Sequence, residues 1–202
     1  MRKELPLYEA FINTDVDSDI EISQMALVEN PAIEQLYVKF NKQENINVKF
    51  SSDEERMIIS GPALIANTPV YRNVNGKEFY IFMSAQTIED IAVKFFKKGY
   101  ANNLNEKHET PLNGLTIFES FISDKQRGIL PMKGFEHIGN PCWFISAKAD
   151  SPESWAKAKE FNGFSIDGDM GLQYFDTIGG LTNQKFSNQE AIDLIDEFLN
   201  DI

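Results

Sequence analysis

Short apolar runs recur along most of the chain, and those at residues 36–40 and 46–50 alternate apolar with polar residues, which is typical of half-buried strands. The other runs predict strands at residues 7–12, 57–65, 69–72, 79–83, 115–122, 142–148 and 161–166. Between two of these runs, Asn75-Gly76 is a residue pair that favours a tight hairpin turn. The pattern therefore predicts a sheet whose neighbouring strands are mostly antiparallel.

Three segments have the apolar stripe or the capping residues of a helix. The strongest begins at the N-cap Ser84 and ends near Gly99, and its apolar residues share one face: Ile88, Ile91, Ala92, Phe95 and Phe96. A short helix runs from Ser151 to residue 159, because serine caps a helix and the proline that follows is tolerated at the first position. A capping box at residues 187–190 starts a terminal helix at 188–199.

Many short strands with few helices indicate an α+β chain, in which a barrel-like, mostly antiparallel sheet carries a few helices packed outside it. The 202 residues, 42% of them hydrophobic, suffice for one core. We therefore expect one domain over residues 1–180. The C-terminal amphipathic helix within 181–202 is expected to pack on that domain, and docking to a partner is the alternative.

Composition narrows the classes of function. A formal net charge of -12 repels a nucleic-acid backbone and so disfavours nucleic-acid binding. The chain has no run of the roughly 20 apolar residues that a membrane helix needs, and we expect no membrane association. The single cysteine, Cys142, begins an apolar run, which predicts a buried strand position and fits a reducing cytoplasm.

A serine and a histidine are the best candidates for catalysis. The chain has two histidines, and His108 lies in a polar segment, 101–111, that is predicted to be a loop ahead of a strand. Ser165 lies between Gly163 and Gly168, and these glycines would let a substrate strand approach the backbone. The hydroxyl would face a groove, with the amides near residues 168–171 as donors to an oxyanion.

A serine nucleophile needs a base, and the base needs a group that orients it. Glu119 is the first candidate for that group, because a carboxylate in an apolar strand needs a partner if it is buried. Asp167 and Asp169 are the rivals, and Asp167 ranks lower because it shares a strand face with Ser165 and is too near to it in sequence to reach behind the imidazole. Each candidate also has an ordinary structural interpretation without a role in catalysis. Ser165 would then be a small strand residue, His108 an exposed loop residue and Glu119 a solvent-facing strand residue.

Other residues that could carry chemistry rank lower. His137 precedes a Gly-Asn-Pro segment and is expected to be an exposed loop residue, and neither Ser120 nor Ser146 has a glycine beside it. The alternating aspartates at 15, 17 and 19 lack the glycine and closing glutamate of a calcium loop. A zinc site built from His108 with Glu106 and Glu109 has too few histidines. We expect no metal and no cofactor.

Three segments in order resemble the phage prohead proteases of the XkdF-like group, relatives of the HK97-type capsid maturation proteases. They are MALVENPAI at 25–33, NEKH at 105–108 and FNGFSI at 161–166, supported by SGPALI at 60–65, LTIFES at 115–120 and WFIS at 143–146. The resemblance covers about residues 5–175. In it, His108 and Ser165 match the positions of the base and the nucleophile.

The resemblance implies a serine protease with the fold of herpesvirus assemblins. It would act in the host cytoplasm, inside the assembling prohead, and its substrates would be the scaffold protein and the major capsid protein. Assemblin-like enzymes use a second histidine after the serine, which this chain lacks. Here an acidic residue would substitute, or the site is a dyad. Whether the chain forms a homo-oligomer is left open.

A second class of function fits the same sequence. A protease-like chain that has lost activity would serve as a structural or scaffold-associated component of the virion. The acidic amphipathic helix at 188–199 would then dock to a shell or scaffold protein. Cleavage of scaffold and capsid proteins would separate the two.

Overall fold

The computed structural model describes residues 5–31, 37–39, 42–44, 49–74, 76–139, 141–176 and 180–181. The strands there are β1 Leu7–Phe11, β2 Ile22–Val28, β3 Tyr37–Lys39, β4 Lys42–Glu44, β5 Ser51–Asp53, β6 Ile58–Ile65, β7 Val70–Val74, β8 Lys77–Phe82, β9 Leu104–Glu106, β10 Thr110–Pro111, β11 Leu115–Ser123, β12 Cys142–Ala149, β13 Gly163–Gly168, β14 Gly171–Asp176 and β15 Gly180–Leu181. The helices are α1 Ala85–Lys97, α2 Pro152–Ala158 and a 3₁₀ turn at Tyr100–Asn102. The chain is mixed α+β, as predicted.

The strands form three larger sheets and a short hairpin of β3 with β4. One sheet has the order β15-β14-β1-β8-β7, the second β10-β9-β2-β13 and the third β11-β12-β6-β5. Among these ladders, β1 with β8 and β2 with β9 are parallel, and the others are antiparallel. The prediction of a mostly antiparallel arrangement is confirmed.

Helix α1 packs on the second and third sheets and supplies much of the main core. Its Phe95 ring meets the ring of Trp143 on β12 edge to face, with centroids 5.7 Å apart, and both side chains are fully buried. Ser84 caps the helix by accepting a hydrogen bond from Thr87 N, as its sequence position predicts. Phe96, which was assigned to the same apolar face, is instead 39% exposed.

The predicted barrel is not seen in the described residues, because the strands there fall into separate sheets and none closes on itself. β13 lies beside β6, but the two strands do not form a ladder. The Phe50 ring lies between them, with its centroid 4.4 Å from that of Phe164 and its Cδ1 close to Gly61.

The segment at 101–111 is not the loop that its polar composition predicts. Its backbone forms the hairpin of β9 and β10, and β9 pairs in parallel with β2. Polar, Asn-rich composition favours loops only on average, and here a buried asparagine, Asn105, belongs to the strand. The correction matters because His108 lies in the turn of this hairpin and not on a free loop.

The acidic segment after β1 folds around a lysine. Lys94 of α1 is 3% exposed, and its ammonium donates to the backbone carbonyls of Asn13, Asp15 and Ser18 at 2.7–2.9 Å. The same ammonium lies 3.1 Å from Glu21 Oε2. An internal cation therefore stands where a calcium loop would hold its ion.

The structure tests the predicted burial of Cys142 but not the predicted terminal helix. The terminal helix at 188–199 lies outside the described residues. Cys142 is fully buried at the start of β12, as predicted. In the described part of the chain, neither helix has the length and apolar character needed to cross a membrane.

Candidate active site

Ser165 lies in the middle of β13, the edge strand of the second sheet. Its register partner on β2 is Ala26, whose own partner on β9 is Asn105. Paired residues share a face of a sheet, so these three form one row across it. Asp167 lies on the same face, because side chains two residues apart in a strand point the same way. The opposite face carries the fully buried Phe164.

His108 is held in a strained hairpin turn. The two central residues of the turn, Lys107 and His108, have φ of 52° and 66°, and Glu109 N donates to Glu106 O at 2.9 Å. Two consecutive positive φ values are typical of a type I′ turn, which asparagine and glycine usually fill. In this conformation the Cβ of lysine or histidine lies close to the following carbonyl oxygen, and each residue costs about 1 kcal/mol or more. Backbone strain of this kind concentrates at functional sites.

Asn105 links the turn to the row of residues on the sheet face. Its side chain is buried, with Nδ2 donating to Asp167 Oδ2 at 2.8 Å and to Gln24 Oε1 at 2.6 Å. Its Oδ1 accepts a hydrogen bond from the backbone N of His108 at 2.9 Å. One amide side chain therefore fixes both the turn and the carboxylate.

The imidazole of His108 approaches Asp167. Nδ1 lies 3.5 Å from Oδ2, and the two side chains are 40% and 33% exposed. This distance is longer than an ordinary N–H···O hydrogen bond, and catalytic hydrogen bonds are often long or poorly aligned without substrate. A carboxylate at Nδ1 holds the tautomer that leaves Nε2 as a proton acceptor. Among the described residues, no hydrogen bond joins the Ser165 hydroxyl to the ring.

Other parts of the chain occupy the space beside the two glycines that flank Ser165. A Cβ at Gly163 would lie 2.6 Å from Pro31 Cγ, and one at Gly168 would lie 2.2 Å from the carbonyl oxygen of Glu21. The Asp169 amide donates to that same carbonyl at 2.9 Å. The expectation that amides after Gly168 wait for an oxyanion is therefore wrong for Asp169.

Glu119 is not brought to His108 by the structure. It is an exposed residue of β11 whose register partner is Ser146, and its charge acts on the guanidinium of Arg56. In the described residues, no contact joins Glu119 to the imidazole. An exposed carboxylate is solvated and needs no partner, so the argument from burial fails here. His137 is also exposed, as predicted.

The lower-ranked nucleophiles have structural roles. Ser120 Oγ accepts a hydrogen bond from Trp143 Nε1 at 2.8 Å, and Ser146 accepts one from Ser60 at 2.8 Å while only 1% exposed. Burial raises the pKa of the Cys142 thiol. Buried, partnered or protonated groups make poor nucleophiles, which leaves Ser165 ahead of them.

Ser165 also lines a cavity of about 80 Å³ at the open edge of β13. The cavity walls come from β6, β7, β8 and β13 and are mostly apolar, with Val70, Ile81 and Met83 on one side. Among the described residues that line it, Arg72 alone is charged. Burial lowers the pKa of the Arg72 guanidinium.

The described residues contain no group of three His, Cys, Asp or Glu side chains that could hold a metal ion. In the zinc alternative, Glu106 would join His108 and Glu109. Glu106 instead forms an ion pair with Lys157 of α2, while Glu109 is exposed. The three side chains therefore do not converge.

Sequence reasoning assigned no role to Asn105 or Gln24, although both support the site. The available signal is the spacing of Asn105 and His108, because asparagine side chains often accept hydrogen bonds from backbone groups a few residues away. The contact with Asp167 joins residues far apart in sequence and has no local signal.

Comparisons of the chain with models of protein families, with curated proteins and with solved structures found no significant match.

Proposed function

We propose that the chain is a serine endopeptidase of phage capsid maturation, with a fold of the prohead protease and assemblin type, that cleaves scaffold and capsid proteins inside the prohead. The observation that carries the catalytic part is the 3.5 Å approach of His108 Nδ1 to Asp167 Oδ2, on the sheet face that holds Ser165. The peptide substrate and the phage setting rest on the resemblance of residues 25–33, 105–108 and 161–166.

In the proposed mechanism, His108 Nε2 takes the proton of the Ser165 hydroxyl, and the serine oxygen attacks a peptide carbonyl carbon. His108 then gives the proton to the leaving amine, and water hydrolyses the acyl-enzyme. Asp167 takes the orienting role first assigned to Glu119. It stabilises the imidazolium that forms in each step, and Asn105 is a positioning residue that holds Asp167 and the turn.

The small side chain of Ala26 supports this geometry. Ala26 is the residue between Ser165 and Asn105 in the row across the sheet, and it is fully buried. In the proposed mechanism, a short side chain at this position keeps a bulky group out of the path between the His108 ring and Ser165. We expect Ala26→Leu to block that path and to lower the rate of cleavage at least tenfold, whereas Ala26→Gly should retain it.

A serine-directed fluorophosphonate probe tests the nucleophile without a known substrate. We expect labelling of Ser165, located by mass spectrometry, and its loss in Ser165→Ala and in His108→Gln. The matched control Ser120→Ala should label like the unaltered chain. Labelling that persists in Ser165→Ala would refute the assignment.

The endopeptidase activity is tested with the phage's own scaffold and major capsid proteins. Incubation with the purified chain should create new termini that mass spectrometry maps, and Ser165→Ala should create none. Loss of the triad acid costs about 10⁴ in kcat in a well-studied serine protease, and we expect at least 10² for Asp167→Asn, with an altered pH profile. Glu119→Gln, the matched control, should cleave at the unaltered rate.

One observation favours the structural alternative: the Ser165 hydroxyl makes no hydrogen bond to His108 among the described residues. An idle protease-like virion protein would behave differently in both assays. It would bind scaffold or capsid protein without creating new termini, and its serine would resist the fluorophosphonate. That pair of results would replace the enzyme with a structural component.

A further inference from the structure

We propose that Arg72 and the apolar cavity beside Ser165 form a subsite for a carboxylate side chain of the substrate, glutamate or aspartate, close to the bond that is cut. The inference rests on the proposed endopeptidase function. It adds a substrate class that neither the resemblance nor the candidate catalytic groups supply.

Arg72 is a half-buried cation without an acidic partner in the described residues. Its Nη1 donates to the backbone carbonyl of Tyr71 at 3.0 Å. A guanidinium has five N–H donors, so most of them remain for another acceptor. In the described part of the chain, no carboxylate lies within ion-pair distance of Arg72.

That the described residues supply no acidic partner for Arg72 is unusual for this chain. It has 31 acidic residues against 19 basic ones, so a carboxylate would be easy to supply from within. A cation taken out of water without a counter-ion is unfavourable, and burial is the sole cause of its lowered pKa. A carboxylate that arrives with the substrate would provide the missing charge.

The cavity has the size and lining for one acidic side chain. Its volume of about 80 Å³ is far below the roughly 300–1,000 Å³ of pockets for drug-sized ligands. Val70, Ile81 and Met83 offer aliphatic walls for a methylene stem. The planar guanidinium fork matches the two oxygens of a carboxylate. Because Ser165 lines the same cavity, the bound residue would lie next to the scissile bond.

Cleavage specificity gives the first test. The probe is a synthetic decapeptide library with randomised central positions, and the products are sequenced by mass spectrometry. We expect Glu and Asp to be enriched at one fixed position relative to the cut. Arg72→Gln should lower that enrichment at least tenfold while library peptides with neutral residues are still cut, and the exposed control Arg127→Gln should keep the enrichment.

A binding measurement separates the subsite from the enzyme. Butyrate mimics a glutamate side chain, and butyramide is its neutral match. In the Ser165→Ala variant, saturable shifts of the Arg72 Nε–H resonance in ¹H–¹⁵N spectra should appear with butyrate and be at least tenfold weaker with butyramide. The Arg127 resonance serves as the internal control.

The outcomes distinguish the two proposals. Peptide cleavage without acidic preference, or equal shifts with butyrate and butyramide, would overturn the subsite and leave the endopeptidase. Butyrate binding without any peptide cleavage would support the subsite and reject the endopeptidase. Equal loss of all cleavage in Arg72→Gln, whatever the peptide sequence, would also overturn the subsite, because Arg72 would then act on the reaction itself.

Discussion

Replacing Lys94 with methionine should destabilise the protein strongly, although Lys94 lies outside the candidate active site. Methionine has similar length and helix propensity, so the substitution mainly removes the charge. Three carbonyl oxygens lose their donor, and Glu21 loses one of its cations. Removing one partner of a buried ion pair costs about 3–5 kcal/mol.

The expected loss lies at the lower end of that range, about 3 kcal/mol. Glu21 keeps Lys98 at 2.9 Å and Tyr100 at 2.7 Å, so its charge is not stranded. The carbonyls of Asn13 and Asp15 belong to exposed residues and can bind water instead. Both factors reduce the cost below that of a fully isolated pair.

Urea unfolding followed by tryptophan fluorescence measures the effect, because Trp143 and Trp155 are both buried. Lys97→Met is the matched control, since Lys97 lies on the same helix but is exposed, and it should change the free energy of unfolding by less than about 0.5 kcal/mol. A loss below about 1 kcal/mol in Lys94→Met would refute the reasoning that the ammonium organises the acidic segment.

Three further predictions follow from the same structure. Burial alone would raise the pKa of Glu21, but hydrogen bonds from Tyr100, Lys98 and Lys94 outweigh it and lower the pKa. The stability that this carboxylate contributes is therefore fully present above the ordinary glutamate pKa and is lost as the pH falls through the lowered pKa. In a series of urea unfolding experiments at different pH values, the midpoint should fall with pH over that range in the unaltered chain and should depend less on pH in Glu21→Gln. Lys107→Gly should raise Tm by about 2–4 °C in calorimetry, because glycine accepts the positive φ; an unchanged or lower Tm would contradict strain in the turn. Gly168→Ala should cost more than about 2 kcal/mol in urea unfolding, since its Cβ would meet a backbone oxygen at 2.2 Å, whereas Gly139→Ala, with open space around it, should cost less than about 0.5 kcal/mol; equal effects would contradict the close approach.

The sequence predicts local structure well where the signals are local. The capped helix after Ser84, the short helix after Ser151 and the buried strand at Cys142 all form where their residues indicate. The predicted barrel failed because alternation shows that a strand is half buried but not which strand it pairs with. No local pattern in the sequence shows that β6 and β13 lie side by side without forming a ladder.

The candidate site was partly predictable for a similar reason. Ser165 and His108 were chosen from residue type and context, and the structure places both on the second sheet. The orienting carboxylate was assigned to Glu119 on the assumption that it is buried, but it is exposed. Asp167 was ranked lower as too close to Ser165 in sequence. The hairpin at 104–111 removes that objection, because it carries the imidazole back over the sheet to meet Asp167.

Ser165 and Asp167 are two residues apart on the same paired strand, so the proposed nucleophile and the proposed acid move together as one rigid body. In the proposed catalytic arrangement, the part that can shift relative to this strand is the hairpin turn at Lys107 and His108. Under the proposed function, a capsid or scaffold protein that shifted this turn would switch cleavage on or off without altering the strands of the sheet.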